Sequence, residues 1–144
     1  MAYTKIQVVF DAAEPEKLAE FWGLALGYVP EPPPAGFATW ADFAREKGID
    51  PSECGDLASR VDPAGEGPRL YFQRVPEGKT AKNRVHLDVR VADAGVRGPE
   101  RDKLIGETVA RLEAAGGTIA WVEDDKYGQA TVMRDPEGNE FCGT

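Results

Sequence analysis

Two segments of the chain alternate apolar and polar residues in the manner of β-strands that bury one face. The first is Lys5–Phe10 and the second is Arg84–Val89. Each begins with a basic residue and carries a polar side chain at its third position, Gln7 in the first and His86 in the second. Because successive side chains of a strand point to opposite faces, this pattern predicts a strand at the start of each half of the chain.

An amphipathic helix is predicted after each of these strands. The residues spaced three or four apart are Leu18, Phe21, Trp22 and Ala25 in the first half, and Leu104, Thr108, Val109, Leu112 and Ala115 in the second. Pro15 stands at the start of the first pattern, where a proline favours a helix. Gly27 and Gly116 follow the two patterns, and glycine commonly ends a helix.

Each half then ends with a turn and a final strand. The turns are Asp62–Gly65 and Asp135–Asn139, in which proline presets one backbone angle and glycine accepts the conformation that closes the turn. The final strands are Arg69–Val75 and Glu140–Cys142. With short strands expected between helix and turn, each half is predicted to have the order strand, helix and three strands, so the chain contains a βαβββ repeat.

The repeat predicts an α+β fold with a single domain over residues 1–144. Its first module covers about 5–75, a linker covers about 76–83, and the second module covers about 84–143. The first module is the longer one. We assign its excess to a helical insert at about 39–48, where aromatic residues follow a proline-rich spacer.

Composition limits the classes of partner. The chain has 144 residues, of which 42% are hydrophobic, as expected for one globular domain. Its formal net charge of −8 repels nucleic acid and anionic lipid, so we expect neither as a partner. The apolar run Ile6–Phe10 is too short for a membrane span and lacks a cationic leader. With Cys54 and Cys142 expected as reduced thiols, the predicted compartment is the cytoplasm.

The repeat resembles the vicinal oxygen chelate superfamily, which includes glyoxalase I, extradiol dioxygenases, fosfomycin-resistance proteins and bleomycin-binding proteins. The stretches that carry the resemblance to its glyoxalase-like group are Glu14–Trp22, Phe72–Lys79, Lys82–Val89 and Asp135–Cys142. The resemblance implies that the two modules form a curved mixed-sheet cup around a central cavity that binds a small molecule. It also implies a homodimer, since many relatives are dimers.

Metal-dependent members of this superfamily carry their ligands on the first and last strand of each module. The matching positions here are Gln7, Gln73, His86 and Cys142. Typical members have histidine at the first pair and glutamate in the second, and this chain contains one histidine in all. Because neutral amides bind first-row metals weakly, we predict no cofactor. A divalent metal held by His86 with Cys142 stays an alternative.

We predict a ligand-binding surface composed of Gln7, Tyr71, Gln73, His86, Asp88 and Cys142. Tyr71 and Gln73 share one face of their strand and lie opposite Leu70 and Phe72. His86 is the candidate catalytic residue because an imidazole exchanges protons near neutral pH, and Asp88 would orient its ring if the rotamers allow contact. The other interpretation of His86 is a hydrogen-bonded residue on a polar strand face.

Two functions therefore stay open. The first is a glyoxalase-like protein that binds a small organic molecule without a metal centre of the glyoxalase I kind. The second is an enzyme, such as a lyase, an isomerase or a dioxygenase-like protein, that uses His86 as an acid or base or in a partial metal site. A shared fold does not decide between them.

Overall fold

The structure is a computed structural model that describes residues 4–126 and 128–144. The chain divides into two compact units, of which the first ends at Gly78 and the second begins at Lys79. Each unit has one four-stranded sheet in which one pair of strands is parallel and the other pairs are antiparallel. The predicted α+β fold with two βαβββ modules is thereby confirmed.

The first unit follows the predicted order and adds two short helices. Its elements are β1 (Gln7–Ala12), α1 (Pro15–Leu26), β2 (Val29–Pro30), α2 (Trp40–Glu46), a 3-10 helix (Pro51–Asp56), β3 (Leu57–Val61) and β4 (Arg69–Arg74). The strand order in the sheet is β1-β4-β3-β2, with β1 and β4 parallel. A helix thus forms within the segment predicted as an insert, whereas the 3-10 helix was not predicted.

The second unit repeats this arrangement without the insert. Its elements are β5 (Asp88–Val89), α3 (Gly98–Ala114), β6 (Thr118–Asp125), β7 (Gly128–Arg134) and β8 (Glu140–Gly143). The strand order is β5-β8-β7-β6, with β5 and β8 parallel. The helix begins at Gly98, earlier than the apolar spacing alone predicts, because Pro99 occupies its first turn.

The core of each unit lies between its helix and one face of its sheet. In the first unit Trp22 of α1 and Phe72 of β4 are almost fully buried. Phe10 stacks on Phe72 with 4.9 Å between ring centroids and lies 5.0 Å from Trp22. The predicted face of α1 is buried as expected. In α3 the most buried residue is Leu112, together with Ile105, which the spacing of the predicted face omits.

The end of α1 illustrates how sequence decides local structure. Gly27 has a φ of +69°, in the left-handed region, and its backbone N–H donates to the carbonyl of Gly23. A side chain at this position would strain the backbone, so glycine is the residue that lets the chain leave the helix here.

The first strand of the second unit is much shorter than predicted. The sequence pattern covers Arg84–Val89, whereas β5 contains only Asp88–Val89. Just before the predicted strand, the backbone is held by a side chain. The backbone N–H of Asn83 donates to Glu140 Oε2 at 2.9 Å, and Lys79 Nζ lies 3.1 Å from the same oxygen.

Among the described residues, no helix combines the length and the apolar character that a membrane-spanning segment requires.

Candidate functional site

The first unit contains a pocket of about 460 Å³. Residues from α1, β2, α2, the 3-10 helix, β3 and β4 line it, namely Glu16, Pro30, Glu31, Trp40, Cys54, Leu57, Ala58, Ser59, Arg60, Arg69 and Tyr71. Trp40 and Tyr71 contribute aromatic surface, and the Trp40 indole N–H donates to the Glu31 carbonyl at 2.9 Å. The inserted helix α2 therefore provides part of the wall.

Arg69 organises the charged side of this pocket. Its Nε and Nη2 donate to Glu31 Oε2 at 2.8 and 2.6 Å, and its Nη1 donates to Gln7 Oε1 at 2.9 Å. The guanidinium carbon lies 5.0 Å from the centroid of the Tyr71 ring, within cation–π range. Burial disfavours the charged form of Glu31, but the hydrogen bonds from Arg69 and Ser59 and the Arg69 charge outweigh it and lower the Glu31 pKa.

Arg60 forms a second ion pair in the same pocket. Its side chain is 6% exposed, and its Nη2 lies 2.5 Å from Glu16 Oε1. Its Nη1 also donates to the carbonyl of Ser59 at 2.9 Å. A buried guanidinium needs such partners, because an unpaired charge costs several kcal/mol to bury. Both arginines of the pocket are thus matched by a glutamate, and these four side chains carry no net charge.

Gln73 lies on the same sheet and pairs with Asp11. The two residues are opposite each other in the parallel ladder of β1 and β4, and Gln73 Nε2 donates to Asp11 Oδ1 at 2.8 Å. Gln7 and Gln73 therefore both use their amides within the first unit, Gln7 as an acceptor and Gln73 as a donor.

The second unit brings the other three predicted residues together. His86 Nε2 lies 3.3 Å from Asp88 Oδ1, so the rotamers allow the predicted contact. Asp88 is opposite Cys142 in the parallel ladder of β5 and β8. One ligand atom from each of His86, Asp88 and Cys142 can be chosen so that all three atoms lie within 4.8 Å of one another. His86 and Asp88 are about half exposed, so solvent reaches the cluster.

The thiol of Cys142 is held in its neutral form. Burial raises its pKa, and the charges of Asp88 and Glu123 and a hydrogen bond to Asp88 raise it further, against a smaller opposite effect of Lys82. A thiol in such an environment is a poor nucleophile, because the thiolate is the reactive form.

The ladders show which residues of the two modules are counterparts. Gln73 is opposite Asp11 in the first unit, and Cys142 is opposite Asp88 in the second. If Gln73 and Cys142 correspond, as the buried Phe72 and Phe141 before them indicate, then Asp11 and Asp88 correspond as well. The sequence pattern pairs Gln7 with His86. The pairing that the ladders indicate is shifted from this by two residues.

Sequence reasoning missed the pair of Arg69 and Glu31. A signal for Arg69 was present, because it shares strand parity with Tyr71 and Gln73, which were predicted to lie on the ligand face. Glu31 gave no such signal, since it follows a two-residue strand and precedes prolines.

The model of the glyoxalase-like domain family matches residues 7–144, nearly the whole chain. The chain belongs to the glyoxalase-like domain family. No curated protein sequence matches this glyoxalase-like domain. The predicted membership in the glyoxalase-like group is confirmed.

Several solved structures share the fold of this glyoxalase-like domain. A possible glyoxalase from Bacillus cereus aligns with a TM-score of 0.59 at 14% identity and covers 99% of each chain. The bleomycin-binding protein from Streptomyces verticillus, complexed with copper(II)-bleomycin, aligns with a TM-score of 0.54 at 17% identity. The alignment covers 100% of this chain and 97% of the bleomycin-binding protein. The fosfomycin resistance protein FosX from Listeria monocytogenes aligns with a TM-score of 0.61 at 9% identity. The alignment covers 99% of this chain and 93% of FosX.

The positions matched to the family's metal ligands do not fit a glyoxalase I centre in this glyoxalase-like domain. In the overlay that the sequence suggests, these positions are Gln7, Gln73, His86 and Cys142. The amide oxygen of Gln7 accepts from Arg69, and the amide nitrogen of Gln73 donates to Asp11. Neither amide supplies the charged oxygen that a glutamate ligand would, so the first unit lacks strong donors at both of its matched positions.

Proposed function

We propose that this glyoxalase-like domain binds a small organic molecule in the pocket of the first unit, without a metal centre of the glyoxalase I kind. The observation that carries the proposal is the lining of the pocket. Trp40, Tyr71 and Leu57 offer apolar surface beside the hydrogen-bonding groups of Arg69 and Glu31. Concave, mostly apolar sites with a few placed polar groups are typical of small-molecule binding. A bleomycin-binding protein and a fosfomycin resistance protein among the structural neighbours agree with it.

The charges of the pocket indicate which ligands it favours. The ion pairs Arg69–Glu31 and Arg60–Glu16 leave the lining without a net charge. An anion would have to compete with a glutamate for each guanidinium, and a cation with an arginine for each carboxylate. We therefore propose an uncharged or zwitterionic ligand with a flat apolar part that packs against Trp40 or Tyr71.

The predicted ligand-binding residues have different roles under this proposal. Tyr71 contacts the ligand, and Gln7 acts through Arg69, whose guanidinium it helps to hold. Gln73 lies on the same strand as Tyr71 and is bonded to Asp11. His86, Asp88 and Cys142 belong to the second unit and form a separate group.

An enzyme that uses His86 is the second candidate function. The observation in its favour is the 3.3 Å distance between His86 Nε2 and Asp88 Oδ1, since a carboxylate that orients an imidazole is a common feature of acid–base catalysis. A reaction of this kind would be lost in His86→Ala and weakened in Asp88→Asn. Ligand binding in the first unit would be unchanged in both variants.

The main proposal can be tested by tryptophan fluorescence during titration with uncharged aromatic fragments. The chain has three tryptophans, and Trp40 and Trp121 are nearly equally exposed, at 37% and 39%. Trp121 belongs to β6 of the second unit and is the matched control. We expect saturable quenching that is lost in Trp40→Phe and retained in Trp121→Phe.

Binding itself can be followed by ligand-observed NMR, which does not depend on fluorescence. Tyr71→Ala should weaken fragment binding, whereas His86→Ala should leave it unchanged. Fragment affinity that stays the same in both Trp40→Ala and Tyr71→Ala would refute the pocket as the binding site.

We further propose that the domain is a cytoplasmic homodimer with no nucleic-acid or membrane partner. Family resemblance supports the dimer, the net charge of −8 argues against polyanionic partners, and Cys54 and Cys142 are both free, in keeping with a reducing compartment. Light scattering of the purified protein tests the dimer, with a mass near that of a single chain as the contrary result.

A further inference from the structure

The second unit has a cavity of about 430 Å³ where the chain passes from β5 to α3. The loop after β5, the start of α3 and the strands β6 and β7 all contribute to its lining. This lining includes three arginines and three aspartates, namely Arg90, Arg97, Arg101, Asp93, Asp102 and Asp124. None of them is a position matched to the family's metal ligands. The volume lies within the range of small-molecule sites, so the cavity can hold a ligand.

The loop that forms one wall of this cavity is held by backbone hydrogen bonds. The N–H of Val91 donates to the carbonyl of Thr144 at 2.8 Å. The N–H of Val96 donates to the carbonyl of Asp93 at 3.0 Å. Gly98 then takes a φ of +61°, in the left-handed region, which lets the chain turn into the helix. Because the wall is held in this way, little ordering is needed when a ligand binds.

Arg101 is a charge of the cavity that contacts of the fold hold in place. Its Nη1 donates to the carbonyl of Gln129 at 2.7 Å. Gly128 leaves room for the guanidinium, since a Cβ at that position would stand 3.1 Å from the same nitrogen. The side chain is half-buried, and its other N–H groups form no hydrogen bond within the described residues. An arginine has five N–H donors, so most of them stay available for a ligand.

Within the described residues the guanidinium of Arg101 has no carboxylate partner, unlike the arginines of the first-unit pocket. Arg60 and Arg69, which are at least half-buried, each contact a glutamate. Arg90 and Arg97 form no ion pair in the part of the chain that the structure covers, although the chain has 25 acidic residues against 17 basic ones. A partly buried guanidinium loses hydration that a carboxylate replaces. The carboxylate that suits Arg101 therefore comes from a ligand.

The three aspartates of the cavity limit the kind of anion that fits. All three are exposed, and none forms an ion pair in residues 4–126 and 128–144. Together with the three arginines they bring the net charge of the lining to zero. A ligand that carries only negative charge is attracted by one set and repelled by the other. A ligand with a carboxylate and an ammonium group satisfies both sets, and a carboxylate can form two parallel bonds with a guanidinium.

We infer that this cavity binds a small zwitterion, such as a free α-amino acid or a short peptide. The ligand carboxylate accepts hydrogen bonds from Arg101, and its ammonium group lies near the aspartates. The site goes beyond the proposed function, because it shares no residue with the pocket of the first unit.

Ligand-observed NMR of the wild-type protein tests the site with two kinds of probe, the free L-amino acids of proteins and the dipeptide L-alanyl-L-alanine. We expect saturable binding of at least one probe, and the kind that binds identifies the source of the ligand. The N-acetyl and the C-amide derivatives of a binder should each bind about tenfold or more weakly, because each lacks one of the two charges. No saturable binding of either kind of probe, or equal binding of the derivatives, would overturn the inference.

Arginine variants test which donors hold the carboxylate. Arg101→Gln should weaken binding by about tenfold or more. Because Arg101 also bonds to the start of β7, Arg97→Gln is a second variant that removes an exposed side chain, and it should weaken binding by about threefold or more. The matched control is Arg111→Gln, which changes an exposed arginine of the same helix outside the cavity lining. Unchanged affinity in both cavity variants, or an equal loss in the control, would refute the site.

The aspartates can be tested by the sign of the effect. The double variant Asp102→Asn/Asp124→Asn should weaken binding of the amino acid and strengthen binding of its N-acetyl derivative, because the repulsion of a plain anion is removed. A change in the same direction for both ligands would contradict the role of the aspartates. Arg101→Gln should leave fragment binding in the first unit unchanged, and Tyr71→Ala should leave amino-acid binding unchanged. The inference and the proposed function can therefore fail separately.

Discussion

Removal of the carboxylate charge at Glu140 should destabilise the second unit at neutral pH and have a smaller effect at low pH. The side chain of Glu140 is 10% exposed. It accepts the backbone N–H of Asn83 at 2.9 Å and lies 3.1 Å from Lys79 Nζ. The hydrogen bond from Asn83, opposed by burial and helped by Lys79, lowers its pKa from 4.5 to about 2. Glu140→Gln keeps the shape of the side chain and removes the charge.

The magnitude follows from linkage. Without solvent screening, the lowering of the Glu140 pKa from 4.5 to about 2 corresponds to about 3 kcal/mol of stability at neutral pH. Solvent screens part of this because Lys79 is 18% exposed. One charge-assisted hydrogen bond to a buried group contributes about 1.5 to 3 kcal/mol, so we expect Glu140→Gln to cost about 2 kcal/mol at pH 7.

The sign of the pH dependence is determined by the direction of the pKa shift. Because the folded pKa lies below the unfolded one, the contribution is complete above about pH 5 and is lost as the pH falls from there towards 2. The difference in the free energy of unfolding between wild type and Glu140→Gln should therefore shrink across this range.

Urea unfolding followed by circular dichroism at several pH values measures this difference. The control is Glu107→Gln, which removes an exposed i,i+4 partner of Lys103 at 3.8 Å and should cost less than about 0.5 kcal/mol. A cost for Glu140→Gln that is the same at pH 3 and pH 7, or no larger than that of the control, would refute the reasoning.

Three further predictions concern the first unit. Phe72→Ala removes a fully buried ring from the core and should lower the free energy of unfolding by about 3 to 5 kcal/mol, measured in urea; a cost below about 1 kcal/mol would contradict its central place. Gly27→Ala should lower the free energy of unfolding by about 1 to 2 kcal/mol in thermal melts. Because an added Cβ meets no other atom within 4 Å, this cost comes from backbone strain and not from a steric clash. Arg69→Gln should weaken fragment binding about fivefold or more by NMR, and an unchanged affinity would contradict the role of Arg69 in the pocket.

The sequence predicted the features that depend on near neighbours in the chain. Residues 15–26 form a helix because its apolar positions recur with the helical period, and the helix ends at Gly27 because glycine accepts a φ of +69°. Strand parity correctly separated Tyr71 and Gln73 from the buried Leu70 and Phe72. Since helix period, strand alternation and turn preference are local properties, one sequence is enough to detect them.

The pairing of charged side chains could not be predicted in this way. Arg69 and Glu31 are 38 residues apart, and their contact exists because the sheet order and the inserted segment bring them together. The length of β5 is a similar case. Its alternating pattern continues back to Arg84, but the Glu140 carboxylate binds the backbone of Asn83 and the ladder begins only at Asp88.

The repeat, the helix faces, the turns and the family resemblance were thus determined by the sequence itself, because each depends on spacing along the chain. The ladder register that places Asp88 beside Cys142, and the ion pairs that neutralise the first-unit pocket, were decided by the tertiary structure. The physical reason is that a hydrogen bond or an ion pair forms only between groups that are close in space. Residues far apart in sequence come that close only when the sheets form.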